Sequence, residues 1–149
     1  MAMIEPFRKL FIRDLNKLKE EIKSYNSEQN IWKIDGKIAN TAGNLCLHLV
    51  GNLNTYIGKE LGGTGYVRNR DLEFSQKDVS QKELVRKIEQ TIQVVDQSLS
   101  KLTDAALQEE YPQLVYETKS TTGFMLGSLL AHLGYHLGQI NYHRRLLDK

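Results

Sequence analysis

Apolar residues recur at every third or fourth position in four separate stretches of this chain. The first runs Phe7, Phe11, Leu15, Leu18, Ile22 and Tyr25. The third runs Leu84, Ile88, Ile92, Val95, Leu99 and Leu102. Such a period places each set on one side of an α-helix and leaves the charged residues between them on the other. The second stretch gathers Leu45, His48, Leu49, Asn52 and Tyr56, with Leu53 and Ile57 beside them, and the fourth gathers Leu129, Ile140 and Leu147. With only 2 prolines in 149 residues, nothing interrupts these runs. Four amphipathic helices without strands between them bury their seams against one another. The chain therefore reads as all-α, an antiparallel four-helix bundle forming a single domain over 1–149.

Local signals give the boundaries. Pro6 suits a first helical turn, where its missing N–H has no partner to lose, so helix one is expected from Glu5 to Tyr25. Ser27 to Lys37 is a connection in which Trp32 and Ile34 cover one end of the bundle. Asn40 or Thr41 caps a second helix that runs to Leu61 and ends at Gly62-Gly63. Ser80 and Glu83 fit a capping box, each satisfying the other's backbone N–H at the start of the third helix. The fourth helix starts near Thr121 or Thr122 and ends near Leu147. Gly127, Gly134 and Gly138 lower its helix propensity, which suggests close approach of a neighbouring helix or room for a ligand. Long connections separate helices two and three and helices three and four. In the first of these, Gly62 to Val79, Arg68 and Arg70 read as solvated, with contact to an anionic group as the alternative. The second, Gln113 to Thr122, reads as extended.

The formal net charge of +2 is too small to point to nucleic acid or an anionic membrane surface. No stretch approaches the roughly 18 apolar residues of a membrane span, and charges interrupt the opening residues, so no signal-peptide core is visible. Cys46 is the single cysteine, which rules out an intrachain disulfide and fits a reducing compartment. A cytoplasmic protein is expected. On a straight helix Cys46 lies well round from His48, so a buried neutral thiol is expected rather than a ligand.

Three of the four histidines lie in the last helix, in LLAHLGYHLGQINYHRRLL. His132 and His136 stand one turn apart, about 40° round the helix, so their rings can converge on one ion. His48 lies in the apolar stripe of helix two and offers a third ligand from a facing helix. His143 is about 10 Å further along the axis than His136, too far to share the same ion without strain, and is expected to support the site, to face a substrate or to lie at an interface. Asn44 and Asn52, one turn either side of His48, are candidates to steady it or to reach a ligand. No Glu or Asp on these stripes offers itself as a general base. A buried histidine on an apolar face also has a plainer reading, as a hydrogen-bonded core residue, and the pattern alone leaves both open.

NLCLHLVGNLNTYI and HLGYHLGQINYHRRLL resemble the DinB-like (DinB/YfiT) superfamily of metal-dependent four-helix bundles. In that family a histidine on helix two is followed by His-x-x-x-His-x-Gly-Gln on helix four, which here picks out His48, His132 and His136, with Gly138-Gln139 following. The resemblance implies zinc or nickel, or a similar divalent ion, on these three residues. It implies an enzyme using a low-molecular-weight thiol, such as a thiol S-transferase, on a small-molecule substrate. Asn52, Tyr56, Gln139 and His143 are then the candidates to line the cofactor site. The alternatives are a non-catalytic metal-binding or stress-response protein and a metal-free helical interaction module. A homodimer is a further expectation.

Overall fold

The computed structural model describes residues 2–149. Five α-helices follow one another: α1 (Ile4–Lys23), α2 (Ala42–Leu53), α3 (Arg70–Ser75), α4 (Gln81–Ser100) and α5 (Thr122–Leu147). The four long ones build the bundle. Phe11, Leu15, Leu18 and Ile22 of α1 and Leu84, Ile88, Val95 and Leu99 of α4 are each fully buried, as their spacing predicts.

Three helices begin as the sequence reads. Thr41, Ser80 and Thr121 accept hydrogen bonds from the backbone N–H of Asn44, Glu83 and Phe124, each satisfying a donor that has no partner within the helix. The capping box at α4 is only half formed. The Glu83 carboxylate turns to Arg86, at 2.7 and 2.5 Å, instead of reaching back to Ser80.

Each long helix borders two others. α1 and α2 both lie against α4 and α5, so they occupy opposite corners of the bundle. Hydrogen bonds give the directions. The N–H groups of Met3 and Ile4 donate to Asp104, just past α4, while Gln81 at the start of α4 donates to the carbonyls of Ile22, Lys23 and Tyr25. α1 and α4 therefore run antiparallel, and so do α2 and α5. The C-terminal ends of α1 and α5 coincide. Asp148 accepts from the backbone of Asn26 and Ser27 and from the Asn30 side chain, and Arg144 pairs with Glu21 at 2.8 Å. α1 and α5 are thus parallel neighbours. α2 and α4 are parallel too: Asn54 bonds Thr91, and further along Gly58 packs on Val94 and Gly62 on Ser98. A parallel neighbour can be reached only if the chain travels back along the bundle. The long connection between α2 and α4 makes that return.

This connection is not a bare loop. It contains α3, capped by Asn69, whose side chain accepts from Leu72 N–H. The Asn44 amide of α2 donates to the carbonyls of Glu73 and Gln76 at 2.9 and 2.8 Å, and its oxygen also receives the Lys77 ammonium. α3 is thereby fastened along α2. The result for α2 differs from the single buried stripe expected of it: every residue from Ala42 to Leu53 except Val50 is buried. No charged residue occurs between Asn40 and Gly58, and a helix uncharged all round is one that gets surrounded. Beyond Leu53 the helix widens into a π-helical segment, Asn54–Lys59. The Asn54 and Thr55 side chains donate to the carbonyls of Val50 and Gly51 at this transition. Gly62 and Gly63 follow, the latter with φ of 66°, a value that suits glycine.

Gly127, Gly134 and Gly138 of α5 do not admit a neighbouring helix. A Cβ at Gly127, Gly134 or Gly138 would meet nothing within 4 Å. The connection to α5 is pinned by Tyr111 N–H donating to the Ser120 carbonyl and Thr122 N–H to the Glu109 carbonyl, a single β-bridge rather than a long extended run. Among the described residues no helix is long and apolar enough to cross a membrane.

Candidate metal centre

α2 and α5 run antiparallel with His48 facing the turn that carries His132 and His136. The Nε2 atoms of His48 and His132 lie 3.2 Å apart, and those of His136 and His132 lie 3.1 Å apart. One nitrogen from each ring falls within 4.8 Å of the other two. Nitrogens bound to zinc at about 2.0–2.1 Å in a tetrahedral set stand about 3.3–3.4 Å from one another. The two separations from His132 are close to those of such a set, and the third pair lies within 4.8 Å.

Hydrogen bonds on the far side of two rings decide which atoms face inward as lone pairs. His48 Nδ1 lies 3.0 Å from Glu73 Oε1. A carboxylate only accepts, so Nδ1 carries the proton and Nε2 is a bare acceptor. His136 Nδ1 donates to Gln139 Oε1 at 2.6 Å, which leaves its Nε2 bare as well. His132 Nδ1 is buried with no partner among the described residues. A single N–H on His132 Nε2 can serve only one of its two neighbours. The centre is therefore rich in lone pairs and short of protons, and a cation is what such an arrangement accepts. Burial, reinforced by the neighbouring His136, His48 and Arg68, pushes the His132 pKa down to about 4. Burial also lowers that of His136. Both rings are neutral at pH 7, the form that coordinates metal.

Glu73 is the residue the sequence did not disclose. It is 6% exposed and is gripped by Arg68, whose Nε and Nη2 lie 2.8 and 2.9 Å from its two oxygens. Burial raises the Glu73 pKa, but the hydrogen bonds from His48 and Arg68 outweigh it and hold the group below the usual carboxylate range. The carboxylate sits directly on the backbone of α2, because a Cβ at Gly51 would overlap it. Gly51, three residues after His48, was the available signal. Arg68 is correspondingly not the solvated loop residue its context suggested: its side chain is 14% exposed.

The other expected site residues divide. Asn52 and Tyr56 line a pocket beside His48 and His132, and Gln139 orients His136. His143 does not join them. It is 4% exposed, Tyr25 O–H donates to its Nδ1 at 2.6 Å, and its Nε2–H donates to the Lys33 carbonyl at 2.8 Å. Both ring nitrogens are engaged, so His143 ties α5 to the connection that follows α1, at Tyr25 and at Lys33, and has no ring nitrogen left to offer a cofactor. Cys46 is buried, with its thiol pushed up to about 12 by burial, as expected of an inert core residue.

A family model described as "Protein of unknown function (DUF1572)" matches residues 3–149. Among solved structures, the chain is similar to a DinB-like protein from Bacillus cereus ATCC 10987, with a TM-score of 0.76 over 97% of this chain and 92% of that one. At 14% identity this likeness is one of fold. No curated protein matches. The residues matched extend over nearly the whole chain, and the protein therefore belongs to the DUF1572 family, with a DinB-like helical fold.

Proposed function

We propose that His48, His132 and His136 hold a divalent ion, zinc or nickel, and that the site serves a thiol-dependent transfer reaction on a small molecule in the cytoplasm. The observation that carries this reading is the convergence of three imidazole Nε2 atoms, two of them stripped of protons by Glu73 and Gln139 on the far side of their rings. Three protein ligands leave a coordination position free, the pattern of catalytic rather than closed structural sites. When bound, such an ion acidifies a coordinated thiol and favours its anionic, nucleophilic form.

The protein's own residues have distinct tasks in this reading. Glu73 fixes the His48 ring and its tautomer, and a carboxylate behind a ligating histidine also makes the ring more basic. Arg68 balances the Glu73 charge, so the three rings and this pair add no net charge to that of the ion. Asn52 and Tyr56 border the side on which a substrate approaches. No acid lines that side, which favours an activated thiol over a mechanism needing a carboxylate base next to the substrate.

Elemental analysis of the purified protein before and after chelator treatment tests the reading. About one equivalent of a divalent ion, lost on chelation and restored by zinc or nickel, is expected. A thiol-dependent transferase screen of the reloaded protein then tests the activity. A protein that takes up no divalent ion under any loading condition would sink the proposal.

A further inference from the structure

A pocket of about 220 Å³ opens beside His48 and His132. Asn52, Tyr56, Arg68 and Arg70 are among its lining residues, together with Met125 and Leu129 of α5. It is smaller than the pockets that enclose drug-sized ligands, so its occupant is a small molecule or the end of a larger one.

Beside the unpartnered Nδ1 of His132, two further side chains on this pocket have groups to offer a ligand. Asn52 is 6% exposed, yet its carboxamide oxygen has no hydrogen bond among the described residues. Buried amide atoms are almost always paired, and an exception needs a reason. Arg70 forms no ion pair among the described residues, and its guanidinium lies over the Phe74 ring at 5.6 Å from the centroid. Arg68 differs, since Glu73 neutralises it from behind. The pocket therefore presents an uncompensated cation at Arg70, an unfilled acceptor at Asn52 and apolar side chains that include Val115, Met125 and Leu129, with no acid among its lining residues. A dication held by the three histidines would add to the positive potential.

We propose that this pocket is a recognition subsite for a small carboxylic acid that also bears an O–H or N–H donor. The carboxylate pairs with Arg70, the donor fills Asn52 Oδ1, and the connecting carbons lie on Met125 and Leu129. The inference rests on the reading of the histidines as a cation site. It adds the chemical class of the molecule presented to that cation. An exposed arginine in open water pairs weakly, but a carboxylate held against apolar walls is less screened.

Cobalt-loaded protein supplies a test that needs no turnover. The visible absorption of the loaded protein reports occupancy of the three histidines, and a sulfur-to-cobalt charge-transfer band reports a thiol reaching the ion. Three probes share the thiol end: 3-mercaptopropionate, its neutral amide 3-mercaptopropionamide, and 2-hydroxy-3-mercaptopropionate. The acid is expected to bind about tenfold more tightly than the amide, as a charge-assisted hydrogen bond allows, and the preference shrinks as salt is raised. Arg70→Gln removes the preference without weakening binding of the amide. The hydroxy acid binds several-fold more tightly than the plain acid, and Asn52→Leu removes that gain. Equal affinity for acid and amide on cobalt-loaded protein overturns this inference while leaving the cation site standing. Failure of cobalt to bind overturns both. A preference for the acid that survives Arg70→Gln assigns the recognition to another group and overturns the subsite as described.

Discussion

Glu73 Oε1 lies 3.0 Å from His48 Nδ1, and the same carboxylate fills the space where a side chain at position 51 would begin. A short helix inside a connection thus reaches into the centre of the bundle and fixes the tautomer of one imidazole. If His48 is a ligand, Glu73→Gln should weaken divalent-ion binding by about 10- to 100-fold, the usual effect of losing such a support. Competition against a chromophoric chelator measures it. An unchanged affinity would mean that the carboxylate supports the fold alone.

Gly51→Val should act on the same ion from the opposite side. The new side chain displaces the Glu73 carboxylate, frees Arg68 and loosens α3. A drop in ion affinity at least equal to that of Glu73→Gln is expected, with a lowered melting temperature. Retention of full affinity would show that α3 can move without consequence for the histidines.

The four histidines should separate cleanly. His48→Ala, His132→Ala and His136→Ala each remove one of three converging nitrogens and should abolish tight binding, while His143→Ala should keep the ion and lose stability instead. Adding zinc should raise the melting temperature of the wild type and of His143→Ala only, because only a folded chain with all three ligands gains from binding. Metal content and thermal melts of the four variants check this. A His143→Ala protein that loses the ion would overturn the ligand set.

Acid should destabilise the ion-free protein through His143. Burial lowers its pKa from the ordinary 6.5, against a smaller opposing effect of the Lys33 carbonyl. The unfolded chain then binds a proton that the folded chain refuses, so stability rises with pH in this window. The contribution is complete above about 6.5 and is lost as pH falls below it. His143→Phe should be less stable at pH 8 and show a flatter loss toward pH 5. Melts of chelator-treated protein across this range decide it, and parallel curves for the two proteins would remove His143 from the account.

The α4 seam gives a check on the fold itself. Ile88 and Leu99 are fully buried, and truncating either to alanine should cost about 2–5 kcal/mol. Val67, 88% exposed, should change stability by no more than about 0.5 kcal/mol on the same substitution. Denaturant melts of the three variants provide the comparison.

Helix periodicity made the four long helices legible, because burial of one side writes itself into the spacing of Leu15, Leu18 and Ile22 or of Ile88, Val95 and Leu99. Thr41, Ser80 and Thr121 were legible for a different reason: a cap is a local hydrogen bond and needs no knowledge of the rest of the chain. The pair His132 and His136 shares this local character, since one helical turn fixes their relation. Glu73 lies outside both kinds of signal. Its partner His48 is on another element, and the six residues of α3 are too few to show a period. The role of Arg68 is hidden for the same reason, because its partner Glu73 sits on that short helix. The parallel pairing of α1 with α5 and of α2 with α4 also left no local trace. It follows from contacts such as Asp148 with Asn26, which lie at opposite ends of the sequence.

The separations within the histidine cluster bear on the order in which a newly made chain acquires it. His48 and Glu73 are 25 residues apart, whereas His48 and His132 are 84 apart. At about 5–20 residues per second, a ribosome needs roughly 4–17 seconds to pass from the first of these histidines to the second. Once Glu73 has been added, 25 residues into that stretch, its carboxylate is a partner available to His48, while the lone pairs of α5 do not yet exist. On the reading of the three histidines as an ion site, the His48 ring gains its orienting carboxylate before its partner rings are made, so the receiving geometry begins to form without an ion.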